Sequence, residues 1–336
     1  MPSAGSKKIT LKGWYKLPAP IAVTPACLGQ TFKVEVGSDS GVAYLPTGAW
    51  DGDRPVMRSP TGPDGITRVF DRFGPRDGWD QVLHWGSIAG WHVAKREFHH
   101  CSIAAVGMEF KVPRASITYR EYLHGLGSPD GTNAEAIFGG IDAWFDRLRA
   151  WLEVAVDQDI NPSEPIAYSN APGSGLTLVT ESDGEMSLPA SFNVINITVA
   201  SFQAVTLPRL RRAANLTNRG ETPSDVHLLL RESRAALRRM RLRLAVIDAG
   251  TAVELALAEY NRVHTQVNTP RLATLGWFVG QPRIAAAVGV PSTLKAELVD
   301  IRNSAIHDNR VPSIAEARRA VDQAELVVRR IAPLPL

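Results

Sequence analysis

The sequence predicts a strand-rich α+β domain followed by an all-α helical bundle. Three observations carry that prediction. At 336 residues the chain exceeds the usual size of one domain. Up to about residue 205, short alternating apolar runs are broken by Gly- and Pro-rich turns. After Leu207 the strand signals stop and helical periodicity takes over. The expected division is a strand-rich domain over 1–205, a basic linker over 206–222 and a helical bundle over 223–336.

In the first half, "TFKVEV", "GVAYLP", "ITRVF", "SIAAVGMEFKV", "GLTLVTES" and "FNVINITVA" read as strands. The breakers "PTGPDG", "GPRDG", "GSPDG" and "NAPGSG" read as turns or loops. One segment departs from this pattern. Between Ala134 and Asp157, the residues Ile141, Trp144, Phe145, Leu148, Trp151, Leu152 and Ala155 recur at helical spacing, with charged residues opposite. An amphipathic helix packed on the sheet is expected there.

In the second half, "PSDVHLLLRESRAALRR" reads as a helix capped by Thr222 or Ser224. "LRLAVIDAGTAVELALAEYNRVH" is apolar over a broad arc, which predicts a central helix. Gly250 inside it costs about 1 kcal/mol relative to alanine, so a close approach by another element is expected there. "PRLATLGWFVG" and "PRIAAAVGV" are short helical pieces. "STLKAELVDIRNSAIHDN" opens at Ser292 and closes at Asn309, before Pro312. The last helix is "SIAEARRAVDQAELVVRRI", where Ser313 and Glu316 form a capping-box signature.

Composition limits the function classes. The chain is 44% hydrophobic and 21% charged, with a net charge of +3, as in an ordinary globular protein. No apolar stretch approaches the roughly 20 residues needed to span a bilayer, so no membrane partner is expected. The lysine pair near the N-terminus is followed by no apolar region, so no signal peptide is expected and the cytoplasm is the expected location. Cys27 and Cys101 give neither a disulfide framework nor a metal-ligand spacing.

Charge is concentrated locally. Ten arginines lie between Val205 and Arg243, opposed only by Glu221, Asp225 and Glu232. They read either as a solvated face or as a footprint for a polyanion, with Arg234, Arg238, Arg239 and Arg241 as the candidate contacts. His84, His92, His99, His100 and Cys101 raise a metal hypothesis, but no CxxC or HExxH spacing supports it. Partly exposed strand histidines and no metal are the expectation. Trp79, Trp85 and Trp91 read as core aromatics. There is no Walker lysine and no nucleophile elbow, so neither a nucleotide nor another cofactor is expected.

The compact polar set is "RNSAIH". Asn303 and His307 are i and i+4 and share a helix face, with Arg302 one step round and long enough to reach over the same edge. Leu294, Leu298 and Ile301 supply the opposite, apolar arc. A guanidinium can hold phosphate oxygens bidentately, and an imidazole moves protons near neutral pH. Glu254, in the apolar run "AVELALA", is expected to pair with an arginine, either as a purely structural contact or to orient Arg302.

"RNSAIH" resembles the Arg-x4-6-His signature of HEPN domains, in the variant where Asn follows Arg. "RLAVIDAGTAVELAL" is similar to the second HEPN helix, and the resemblance covers about Pro223 to Ile331. It implies a metal-independent endoribonuclease whose site forms where two protomers meet. Arg302 would stabilise the phosphorane, His307 would act as general acid or base, and Asn303 would orient the pair. RNA and a second copy of the chain are the implied partners, with an antitoxin or phage-derived trigger in toxin or antiviral-defence systems. The first half would then serve as a sensor or gate. The resemblance equally admits a catalytically silent dimerisation module.

Overall fold

In a computed structural model the described residues are 8–58, 85–113, 132–156, 177–179 and 203–336. The architecture is a strand-rich region followed by a helical one. Two compact units are present: Met1–Leu152 with Gln158–Thr222, and Glu153–Asp157 with Pro223–Leu336. "ITRVF", "FNVINITVA", all four turn segments, His84 and Trp79 lie outside the described residues.

The first unit is built on antiparallel pairing. Its strands are β1 (Lys8–Val23), β2 (Thr31–Val36), β3 (Asp39–Tyr44), β4 (Thr47–Asp51), β5 (Arg54–Arg58), β6 (Gly86–His92), β7 (Glu97–Pro113) and β8 (Thr177–Val179). The main sheet runs β2-β3-β7-β1-β8, with β6 also paired to β7, while β4 and β5 form a separate hairpin. β1 and β7 pair from Lys8↔Pro113 to Val23↔Cys101, with the register broken between Lys16 and Ile21. Pro18 and Pro20 fall in that break. Neither has an N–H for a ladder, which is why this strand carries no sequence-level strand signature.

Helix α1 (Thr132–Ala155) covers the sheet. Ile141, Trp144, Phe145, Leu148, Trp151 and Leu152 are all buried, and Tyr15 stacks on Phe145 with ring centroids 3.9 Å apart. On the strands, Val34, Val36, Ile103, Ala105, Met108 and Phe110 complete this core. Trp91 is 42% exposed, contrary to the core reading, because it lies on the β6 arm that pairs only with the outer end of β7.

Residues 206–222 are more than a basic linker. Leu207–Asn218 forms helix α2, and the whole segment groups with the first unit. Leu210, Ala213, Ala214 and Leu216 are buried at helical spacing between the arginines. The helix is tied down at its end. Asn218 Oδ1 accepts from Glu35 N at 3.0 Å and from Trp144 Nε1 at 2.7 Å, while its Nδ2 donates to Lys33 O at 2.9 Å.

The second unit contains α3 (Asp225–Arg238), α4 (Leu242–Tyr260), α5 (Leu275–Gly280), α6 (Pro282–Val288), α7 (Asp300–His307) and α8 (Ile314–Ile331). Ser224 caps α3, although its side chain accepts no capping hydrogen bond. Helix α4 is central. Its buried Ala245, Val246, Ala249, Ala252, Val253, Ala256 and Leu257 meet Leu294, Leu298, Ala317, Val321 and Val328 of the surrounding helices. Small side chains along α4 let its neighbours approach closely, which matches the broad apolar arc of its sequence. The segment read as one helix from Ser292 has an inserted stretch of π-helix, Lys295–Val299, immediately before α7. The Ser313–Glu316 capping box forms in full at the start of α8.

Candidate functional site

The site is set by which face of α7 each polar residue occupies. Leu298, Ile301, Arg302 and Ala305 follow the i, i+3, i+4, i+7 pattern of a core stripe. Leu298, Ile301 and Ala305 are buried, and the Arg302 side chain is only 15% exposed. Asn303 and His307 are exposed. The structure therefore separates the polar set. Arg302 belongs to the inward stripe and does not reach over the Asn303–His307 edge.

What receives Arg302 is the surface of α4. A Cβ placed on Gly250 would lie 2.7 Å from Arg302 Cδ, 3.0 Å from Cγ and 3.1 Å from Nε. The close approach expected at Gly250 is thus made by the stem of Arg302. One turn further along α4, Glu254 Oε2 sits 3.1 Å from Arg302 Nη2. The same oxygen accepts from the Leu275 backbone amide at 3.0 Å, at the first turn of α5. Arg302 Nε is buried and, among the described residues, has no hydrogen-bond partner.

The end of α7 is held from the same helix. Arg243 Nε donates to Ala305 O at 2.8 Å, and its Nη1 donates to Asn309 Oδ1. Asn309 is left-handed with φ 52°, while Asp308 N and Arg310 N both return to Ser304 O. An asparagine tolerates that conformation and terminates the helix. His307 therefore stands exposed in the final turn, between two points gripped by Arg243.

The remaining arginines are divided between the two units. Arg209, Arg211, Arg212 and Arg219 belong to the first unit, whereas Arg231 to Arg243 belong to the second. Arg231 pairs with the buried Glu153 at 2.5 Å and also with Glu232. Arg234 is 17% exposed, 3.4 Å from Glu325 Oε1, and donates to Val154 O at 3.2 Å. It is committed inside the fold and does not present a phosphate-binding surface. Arg238, Arg239 and Arg241 are exposed around the α3–α4 turn.

His92, His99 and His100 are exposed on the β6–β7 hairpin, and the register slips at His99. Among the described residues, no three His, Cys, Asp or Glu side chains are grouped as a ligand set. Cys27 and Cys101 are free and buried, and burial pushes the Cys101 thiol up to about 11. No helix among the described residues is long and apolar enough to cross a membrane.

Sequence reasoning marked Arg302, Asn303, His307 and Glu254, but not the role of Arg243. In the sequence that arginine reads with the polyanion footprint. The available signal was spacing: 243, 250 and 254 are i, i+7 and i+11, one stripe of α4. Comparison with protein-family models, with curated proteins and with solved structures returns no match.

Proposed function

We propose that this chain is a metal-independent endoribonuclease of the HEPN type, acting as a toxin or antiviral-defence effector. The 2'-hydroxyl of a ribose attacks the adjacent phosphorus, and the bond to the 5'-oxygen of the next nucleotide breaks. The products are a 2',3'-cyclic phosphate and a 5'-hydroxyl. His307 takes or delivers the proton in this exchange, and Arg302 offsets the charge developing on the phosphorane. Two protomers related by a two-fold axis each supply one Arg302 and one His307.

One observation carries the reading. Arg302 occupies a core-stripe position, where an apolar side chain would pack without cost, yet its Nε is buried and unsatisfied. A buried guanidinium with an unsatisfied N–H is a costly choice for packing alone, and each such group in a fold calls for an explanation, of which a functional role is one. Its helix ends five residues later in an exposed imidazole.

A second reading has its own support. The Glu254 carboxylate neutralises Arg302, and Asn303 and His307 face away from it, as in a dimerisation module that retains the helices without catalysis.

Purified full-length protein, incubated with total RNA in EDTA, separates the two. The ribonuclease reading expects cyclic-phosphate ends from wild type, and loss of cleavage by about 10²–10⁴-fold in His307→Ala. Arg302→Ala should lose comparable activity. Absence of cyclic-phosphate ends from a dimer confirmed by light scattering would favour the interaction module.

A further inference from the structure

We infer that α4 is the positioning element of the Arg302–His307 site, with Arg243 and Gly250 as its two unassigned positioning residues. The inference deepens the ribonuclease reading and rests on it for the word "site". The contacts that carry it stand independently. Arg243, Gly250 and Glu254 lie on one stripe of α4, and all three act on α7.

Each fixes a different degree of freedom. Arg243 holds the carbonyl of Ala305, two residues before His307, and the side chain of Asn309, two residues after it. Those groups belong to the helix end, where carbonyls lack intrahelical partners and the last turn otherwise frays. Two donors of one planar guanidinium, held on groups either side of His307, set the direction of that turn and with it the origin from which the imidazole projects. Gly250 leaves the space in which the Arg302 stem lies. With Nε enclosed against Gly250 and Nη2 directed to Glu254, the guanidinium plane has one orientation. Neither Arg243 nor Gly250 needs to touch substrate. Misplacement of a reacting group by about 1 Å costs on the order of 10²-fold in rate, so residues acting at this distance are visible in kinetics.

Gly250→Ala gives a sharp test, because two effects of opposite sign compete. Alanine is the better helix former, but its methyl group would meet Arg302 Cδ at 2.7 Å. If Gly250 serves Arg302, Gly250→Ala lowers Tm in the wild-type background and raises it in an Arg302→Ala background. Equal shifts in both backgrounds overturn the assignment of Gly250. This cycle requires no activity, so it decides whether Gly250 makes room for Arg302 even if the ribonuclease reading falls. Where wild type cleaves RNA, Gly250→Ala should also lower kcat with KM changed less than twofold, and an unchanged kcat overturns its positioning role.

For Arg243, amide hydrogen exchange in residues 304–309 should accelerate at least tenfold in Arg243→Ala, with Arg243→Lys intermediate. Unchanged exchange overturns the assignment. Where wild type cleaves RNA, Arg243→Ala should lower kcat at least tenfold with KM changed less than twofold, and Arg243→Lys should restore part of it. An unchanged kcat overturns the positioning role, and a rise confined to KM would assign Arg243 to RNA binding instead.

Discussion

Glu254 Oε2 is shared: it lies 3.1 Å from Arg302 Nη2 and accepts the Leu275 amide at 3.0 Å. The two partners do not depend on it equally. Removing Arg302 leaves a carboxylate still bonded to a backbone N–H. Removing Glu254 leaves a largely buried cation and an uncapped amide. Glu254→Ala should therefore cost more stability, about 2–3 kcal/mol, against about 1–2 kcal/mol for Arg302→Ala. Denaturant titrations of both variants and the double mutant check the order, with a coupling of about 1–2 kcal/mol expected. The reverse order would mean that the ion pair matters less than the packing of the Arg302 stem.

Asn218 gives a comparable prediction for the first unit. It satisfies two donors and one acceptor belonging to β2 and α1. Asn218→Ala leaves Glu35 N, Trp144 Nε1 and Lys33 O without that partner, and should cost about 2–4 kcal/mol. Asn218→Asp keeps the acceptor and loses the donor to Lys33 O, so its loss should be smaller. Thermal melts followed by Trp fluorescence rank the two.

The cap of α8 is testable through pH. Hydrogen bonds from the Ser313 amide and hydroxyl, with a further one from Arg310, hold the Glu316 carboxyl down to about 2. The folded pKa lies below the unfolded value, so the contribution is present above about pH 4.3 and is lost as pH falls toward 2. Ser313→Ala should cost about 1 kcal/mol at pH 7 and progressively less below pH 4. A cost independent of pH would show that the hydroxyl acts without Glu316.

These cases show what was legible in the sequence. The capping box follows from two residues three apart, and the central helix from its apolar arc, because both are local patterns with a fixed period. Strand β1 was hidden because Pro18 and Pro20 interrupt it, and its register with β7 depends on residues about ninety positions away. The pairing of Glu254 with an arginine could be expected from a carboxylate in an apolar run. The inward direction of Arg302 was also encoded, since it completes the stripe of Leu298, Ile301 and Ala305. Its charge suggested the polar edge instead. Arg243 was masked by its neighbours: within an arginine-rich run, composition cannot distinguish the side chain that turns inward to a carbonyl.

Asp248 offers a last prediction, on α4 but apart from the Arg302 contacts. Burial, and secondarily the nearby Glu232 carboxylate, raise its pKa to about 6. An unfolded aspartate titrates near 3.9. The folded state therefore holds this proton more tightly, and the stabilisation linked to it is fully present below about pH 4. It is lost as pH rises through 6, where the carboxylate ionises against a desolvated surface and a like charge. Asp248→Asn removes that ionisation while keeping the shape. The variant should match wild type near pH 4 and exceed it at pH 7–8 by about 1 kcal/mol, a figure discounted for the solvent that still reaches the group. Because other carboxyls titrate over the same range, the useful quantity is the difference in unfolding free energy between variant and wild type at each pH. Glu232→Gln should shift the midpoint of that difference downward, since it removes the like charge but leaves the burial. A difference that is flat from pH 4 to 8 would mean that Asp248 is solvated in the folded chain and its ionisation costs nothing.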